Sequence, residues 1–216
     1  MNEIINKLKE LCTFEVNLPS LEAPVKVEKL NINFQNKLQD ELNEVNGENE
    51  AALRYLRFIN KHIQSYSSQS LNFFDKIKLL GEWYNNIKNI DEKLKFDVSD
   101  IKDQTFNFNS STLMSVNYYI PSLEKEATLL NFLLNREKVA DIDIVYFDNF
   151  RFIKEIKFGE DQLYNISEME PSFSYDVFLM FDTTIINNIS NHISSNLESI
   201  NDLRELEGDF TFYTSI

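Results

Sequence analysis

The 216-residue chain has 43% apolar and 26% charged residues, the composition of an ordinary globular protein. Its formal net charge of −14 disfavours binding to the phosphate backbone of nucleic acids or to anionic membrane surfaces. No apolar run approaches the roughly 20 residues of a membrane span. From the charge and this absence together, we expect neither a nucleic-acid nor a membrane partner. The single cysteine, Cys12, excludes a disulfide within the chain and indicates a reducing cytoplasm.

The N-terminal part of the chain predicts a short helix, two strands and a second helix. Residues 1–12 carry apolar side chains at helical spacing. Residues 14–18 alternate apolar with polar and stop at a Pro-Ser turn, and residues 25–34 are mostly alternating. These two segments are predicted to pair as a hairpin. Residues 38–45 return to helical spacing before Asn46-Gly47.

The stretch 70–91 is predicted to form the central core helix. Its apolar residues recur at alternating spacings of four and three and form one stripe along a helix. They are Phe73, Ile77, Leu80, Tyr84 and Ile87. Asn72 is the predicted N-cap, Asp75 lies in the first turn, and Trp83, the only tryptophan, is predicted to be buried. A preceding helix, capped by Asn49 and ending near Gln64, makes a helical hairpin over about residues 49–90.

Beyond residue 93 the pattern changes from helical to alternating. Antiparallel strands are predicted within about residues 94–120, followed by a helix opened by Pro121-Ser122. Residues 141–158 are rich in strand-forming side chains, but acids precede lysines along them and Gly159 follows. That charge order favours one helix with a glycine C-cap. Residues 173–195 predict one or two helices, with Asp182 as a second N-cap.

The segment 208–216 alternates polar and aromatic residues and is predicted to form a terminal strand. This strand either belongs to the chain's own sheet or docks on another chain by edge pairing. Its apolar side chains are our candidate partner-binding residues: Phe210, Phe212, Tyr213 and Ile216.

These elements predict an α+β fold, in which a helical core carries antiparallel strands near the N-terminus, in the middle and at the C-terminus. We expect one domain over residues 1–216. A division into 1–92 and 93–216 is the alternative.

No motif for catalysis, cofactor binding or metal binding is found in the sequence. His62 and His192 lack partners at metal-ligand spacing, and the four isolated glycines cannot build a phosphate-binding loop. The acidic pair Asp141 and Asp143 is predicted to be solvated first-turn charge rather than a catalytic pair. We therefore expect a protein that is not an enzyme and has no cofactor.

Several short motifs, in order, resemble one family. They are Leu18-Pro19-Ser20, Val25-Lys-Val27-Glu-Lys29, Leu71-Asn-Phe-Phe-Asp75 and Ile153-Lys-Glu-Ile156-Lys-Phe-Gly159-Glu. In this order the chain resembles the baseplate hub assembly proteins of T-even-type contractile-tail phages. Members of that family often carry an LPS-containing strand, a VKEEK-like segment and an FD pair that opens a helix.

The resemblance implies a non-enzymatic role in building the phage baseplate hub, as a transient chaperone or a retained component. Its partners would be other tail and baseplate hub proteins, in an oligomeric assembly. It would act in the host cell cytoplasm during assembly and, if retained, in the tail baseplate of the virion. The alternative suggested by the charge is an acidic inhibitor or immunity-type protein that binds a basic toxin or a nucleic-acid enzyme.

Overall fold

The computed structural model describes residues 7, 10–43, 45–88, 105–109, 113–159, 162–197 and 207 of the chain. Within these residues helices pack with a two-stranded and a four-stranded antiparallel sheet, which confirms the α+β class. The helices are α1 (Ile32–Leu42), α2 (Glu48–Gln64), α3 (Phe73–Lys88), α4 (Leu123–Leu134), α5 (Asp141–Phe150), α6 (Pro171–Leu179) and α7 (Thr183–Asn196). The strands are β1 (Thr13–Val16), β2 (Val25–Glu28), β3 (Thr105–Asn109), β4 (Leu113–Tyr118), β5 (Ile153–Phe158) and β6 (Gln162–Asn165).

The predicted N-terminal hairpin is present but shorter than expected. Strands β1 and β2 pair antiparallel, with Phe14 opposite Val27. The prediction of a strand to residue 34 is wrong, because Asn31 accepts a hydrogen bond from Phe34 N at 3.0 Å and starts α1. Phe34 and Leu38, four residues apart, are the buried face of that helix.

Helix α3 begins as predicted at a reciprocal cap. Asn72 Oδ1 accepts from Phe74 N at 2.9 Å and from Asp75 N at 3.2 Å, while Asn72 N donates to Asp75 Oδ2 at 2.8 Å. The same carboxylate accepts from Ser20 N at 3.0 Å and from Ser20 Oγ at 2.5 Å. Asp75 therefore ties the turn after β1 to the start of the central helix.

Helices α2 and α4 form the most extensive helix pair among the described residues, and α2 makes fewer contacts with α3. Helix α2 begins at Glu48, after Gly47 with φ of +140°, so the predicted cap at Asn49 is wrong by two residues. Helix α4 starts as predicted, with Ser122 Oγ accepting from Lys125 N at 3.1 Å. Asp182 likewise caps α7 by accepting from Ile185 N at 2.9 Å.

The prediction of one helix over 141–158 is wrong in its second half. Helix α5 ends at Phe150, and β5 follows as an inner strand of the sheet, whose order is β3-β4-β5-β6. The register between β4 and β5 shifts at Asn117/Tyr118, so that Ile153 and Ile156 are both buried although they lie three residues apart. Gly159 is not a helix cap: with φ of +63° it begins the connection from β5 to β6.

The buried apolar side chains form one cluster. It includes Val16 and Leu18 from the N-terminal hairpin, Trp83 from α3 and Ile189 from α7. The predicted stripe of α3 is buried at Phe73, Ile77 and Leu80. The predicted strands at 94–101 and 208–216 lie outside the described residues, as does most of the predicted helix 1–12.

Candidate functional site

Helices α3 and α4 start side by side, and this places two charged side chains against each other. Phe73 N donates to Pro121 O at 3.0 Å, and Leu123 N donates to Leu71 O at 2.8 Å. One turn into each helix, Lys76 and Glu126 have no exposed side-chain surface. Their ammonium and carboxylate form an ion pair, and Asn60 Nδ2 of α2 donates to the same Glu126 oxygen at 2.8 Å.

Two further residues extend this pair into a buried charge network: Lys76, Glu126, Arg151 and Glu207. Arg151, which follows α5, makes a bidentate contact with Glu207 at 2.7 and 2.9 Å and reaches Glu126 at 3.1 Å. Lys76 Nζ lies 2.5 Å from Glu207 Oε1. The two cations and two carboxylates cancel in formal charge, which a low-dielectric interior requires.

The network holds Arg151 and Glu207 in their charged forms. Burial alone would raise the pKa of Glu207, but Arg151 and Lys76 hold that pKa well below its usual range. Burial would lower the pKa of Arg151, but the carboxylates of Glu207 and Glu126 raise it above its usual value. The guanidinium also lies 4.7–5.1 Å from the ring centroids of Phe147, Phe152 and Phe73. Since each carboxylate is paired and buried, the network links α3, α4 and the residue after α5 inside the core, out of reach of a substrate.

Part of the signal for this network is present in the sequence, although we did not predict it. Lys76 lies three residues after Phe73 and four before Leu80, in phase with the apolar stripe of α3. Glu126 has the same relation to Leu123 and Leu130 in α4, although its place in the first turn also suits a solvated charge at the positive end of the helix dipole. A charge in phase with an apolar face is buried and needs a partner.

The acidic pair at the start of α5 is only half as predicted. Asp141 is exposed, whereas Asp143 is fully buried, so the expectation of a solvated pair is wrong for Asp143. Asp143 accepts from Ala140 N at 2.7 Å, which caps α5, and from Tyr175 Oη of α6 at 2.7 Å. Arg136 Nε lies 3.5 Å from the same carboxylate. Asp143 therefore fixes the inner face of α6 against α5.

The outer face of α6 is apolar and exposed. Ser174, Tyr175 and Phe178 are buried against the core, as the helical period requires. Phe173, Leu179 and Met180 are 66%, 54% and 82% exposed. We call these three residues, together with the partly buried Val177, the α6 face. Large apolar side chains clustered at the surface mark sites of contact with other molecules.

The chain segment that contains α6 carries acidic side chains and no lysine or arginine. Residues 162–197 contain four carboxylates and no lysine or arginine. All four are exposed: Glu168, Glu170, Asp176 and Asp182. Among the described residues, Arg136 and Lys125 from neighbouring elements approach the helix. Arg136 lies over the Tyr175 ring at 4.3 Å. Burial lowers the pKa of Lys125, and the nearby carboxylate of Glu170 opposes that shift.

A concave surface with a volume of about 890 Å³ lies between α1, α2 and α4. Its lining includes Lys37, Lys61 and Glu124, together with an Arg57–Glu41 ion pair. Mixed charges over an apolar floor do not select one class of ligand.

His62 belongs to an aromatic cluster around Trp83. Its ring stacks on Trp83 at 5.7 Å and contacts Phe34 edge-on at 4.9 Å, and Tyr66 Oη lies 3.1 Å from His62 Nε2. Trp83 Nε1 donates to Glu28 O at 3.0 Å, which joins the cluster to β2. Burial, assisted by nearby Lys37, lowers the pKa of His62 to about 4.

The lowered pKa of His62 predicts a loss of stability in mild acid. Between about pH 6.5 and 4 the unfolded chain binds a proton at His62 that the folded chain does not. The free energy of unfolding should therefore fall as pH falls through this window, by at most about 3 kcal/mol, and it should not change further from this cause below pH 4. Urea titrations at each pH measure this slope.

A matched pair of variants assigns the slope to its residue. His62→Gln should remove most of the pH dependence between 6.5 and 4. His192→Gln should retain most of it, because that ring is less buried and its pKa is less strongly lowered. An unchanged slope in His62→Gln would show that other groups cause it.

The sequence-predicted partner residues, Phe210, Phe212, Tyr213 and Ile216, lie outside the described residues, so their role stays a prediction. Cys12 is exposed. Among the described residues, no three His, Cys, Asp or Glu side chains are grouped so that they could hold a metal ion. None of the helices in this part of the chain combines the length and the apolar character needed to cross a membrane.

Comparison of the chain with protein-family models, with curated proteins and with solved structures gave no match.

Proposed function

We propose that this chain is a non-enzymatic protein of phage tail assembly, which acts through protein–protein contacts as a chaperone or structural component of the baseplate hub. The observation that carries the binding role is the α6 face. Exposed phenylalanine, leucine and methionine side chains on one short helix lose unfavourable contact with water when a partner covers them. The tail assembly itself is suggested by the ordered resemblance of the motifs.

A contact within the fold supports treating those motifs as one unit. Ser20 of the Leu-Pro-Ser motif donates from both its backbone N and its Oγ to Asp75 of the Phe-Asp motif, across 55 residues of sequence. Leu18 is buried in the core beside them. Two short motifs that resemble a family thus share a structural reason to occur together in one chain.

Because tail hub proteins assemble with one another, the proposed partner is another hub protein. We expect its gene to lie near this chain's own gene. On co-expression with the flanking genes, we expect a complex in size-exclusion chromatography with light scattering, with a mass above the 25.4 kDa of the monomer. Phe173→Ser/Met180→Ser should remove the complex, since the α6 face loses apolar area that the partner would bury.

The matched control is Leu11→Ser/Ile32→Ser, which alters two apolar side chains that are 70% and 73% exposed elsewhere. This variant should retain the complex. Capture of a basic nuclease or toxin from the gene neighbourhood, with no tail protein bound, would refute the tail role and support the acidic inhibitor. A complex with a hub protein that survives the α6 double variant would place the interface elsewhere.

A further inference from the structure

We infer that the α6 face binds a basic amphipathic helix of a partner protein. In such a helix, apolar side chains recur three and four residues apart on one face, and lysine or arginine lies between them. This inference rests on the proposed protein-binding function and names the chemistry of the partner. It is carried by the position of one carboxylate beside the residues of the α6 face and by the charges that surround it.

The carboxylate is Asp176, which shares the outward surface of α6 with the apolar side chains. It lies three residues after Phe173 and four before Met180, and is exposed like them. On a helix these spacings place side chains next to one another. A partner that covers Phe173 and Met180 must therefore also cover Asp176. An apolar partner would leave that carboxylate desolvated and unpaired, which is costly, whereas a cation would pair with it.

The surrounding charges favour the same partner. Glu168 and Glu170 precede the helix and Asp182 follows it. Of the cations that approach, Arg136 is engaged by buried Asp143 and by the Tyr175 ring, and Lys125 lies near Glu170. Asp176 and Asp182 form no ion pair with a described lysine or arginine within 4 Å. The rim is thus acidic, and rim charges set the sign of the partner that is steered to it.

The shape of the surface favours a helix over a strand. The face consists of ridges on one helix, spaced at four and three residues, and such ridges interdigitate with those of a second helix. A strand would need an open sheet edge to supply hydrogen bonds, and α6 offers none. A helix with apolar residues at the same spacing and lysines between them complements both the shape and the charge.

The test uses the full-length protein and a synthetic 18-residue helical peptide of leucine and lysine with one apolar face. Two matched peptides separate the contributions: one has the same composition in scrambled order, and one has glutamate in place of lysine. Binding is measured by fluorescence anisotropy at physiological ionic strength, where weak attraction to the net negative charge is screened. The amphipathic basic peptide should bind at least about tenfold more tightly than either matched peptide.

Variants of the protein then locate the site. Phe173→Ser/Met180→Ser should weaken binding about tenfold or more, and Asp176→Asn should weaken it severalfold. The controls, Leu11→Ser/Ile32→Ser and Asp40→Asn, change equally exposed apolar side chains and an equally exposed carboxylate elsewhere. They should leave the Kd unchanged.

Equal binding of the scrambled peptide, or equal weakening by the control variants, would overturn the inference, because attraction would then be nonspecific. No binding of the amphipathic peptide would overturn it too. These outcomes are separable from failure of the proposed function. A hub complex that is lost in Phe173→Ser/Met180→Ser but retained in Asp176→Asn, with no peptide binding, would preserve the binding function and refute only the basic helix.

Discussion

Replacing Arg151 with methionine is expected to lower the free energy of unfolding by about 3–5 kcal/mol. Arg151 is almost completely buried and contacts both carboxylates of the buried charge network. Without it, Glu126 and Glu207 remain in the interior with Lys76 as the one cation of the network, so one buried negative charge is uncompensated. Chemical denaturation followed by Trp83 fluorescence measures the loss, because this single tryptophan is buried in the core.

The matched control removes an arginine from a surface ion pair. Arg54 pairs with Glu50 at 2.8 Å across one turn of α2, with its side chain 30% exposed. Arg54→Met should cost less than about 0.5 kcal/mol, because solvent screens such a pair. A loss this small for Arg151→Met would show that the network does not hold the core together.

A double variant tests whether uncompensated charge is the cause. Arg151→Met/Glu207→Gln removes one cation and one carboxylate, and leaves the neutral pair Lys76–Glu126. Its loss of unfolding free energy should be smaller, by about 1–3 kcal/mol, than the summed losses of the single variants Arg151→Met and Glu207→Gln. Strict additivity would mean that lost packing, rather than charge, explains the effect of Arg151→Met.

Replacing Trp83 with alanine is expected to destabilise the fold by about 3–5 kcal/mol. The side chain is 1% exposed and contacts Phe34, His62 and Tyr66. The substitution opens a cavity in this cluster and leaves Glu28 O without its indole donor. Because the fluorophore is removed, thermal and urea melts followed by circular dichroism measure the loss.

Phe173→Ala is the aromatic control for Trp83→Ala. That ring is 66% exposed, so its removal should change the free energy of unfolding by less than about 0.5 kcal/mol. Trp83→Phe should lie between the two, because it keeps most of the packing but loses the hydrogen bond to β2. An unchanged melt for Trp83→Ala would refute the assignment of α3 as the central core helix.

The sequence predicted the helices best where an amphipathic stripe and a cap agree. Asn72, Ser122 and Asp182 were all recognisable as N-caps, because a short polar side chain stands before an apolar period. Prediction failed where two patterns coincide. Leu30, Ile32 and Phe34 alternate like a strand, but Asn31 among them caps a helix.

The error over 141–158 has a specific physical cause. In β5 the buried residues Ile153 and Ile156 are three apart, a spacing that favours a helix over a strand. Only the shift in register opposite Asn117/Tyr118 lets both face the core. Such a shift depends on the neighbouring strand, so the segment's own sequence does not reveal it.

The α6 face and the buried charge network differ in how far the sequence predicts them. In α6 the exposure of Phe173 and Met180 depends on which face packs against α4 and α5, and an apolar helix does not reveal that choice. The buried positions of Lys76 and Glu126 were detectable from their phase. The contributions of Arg151 and Glu207 depend on tertiary contacts between distant segments and leave no local pattern.

The order in which the buried charges are synthesised has a consequence for folding in the cell. Lys76, Glu126 and Arg151 are translated first, and Glu207 follows Arg151 by 56 residues. At roughly 5–20 residues per second, the nascent chain contains two cations and only one carboxylate of the network for about 3–11 s. During that interval the helical core cannot close without leaving a charge unpaired. Closure should therefore wait for the last carboxylate, leaving the helices accessible to chaperones while translation continues.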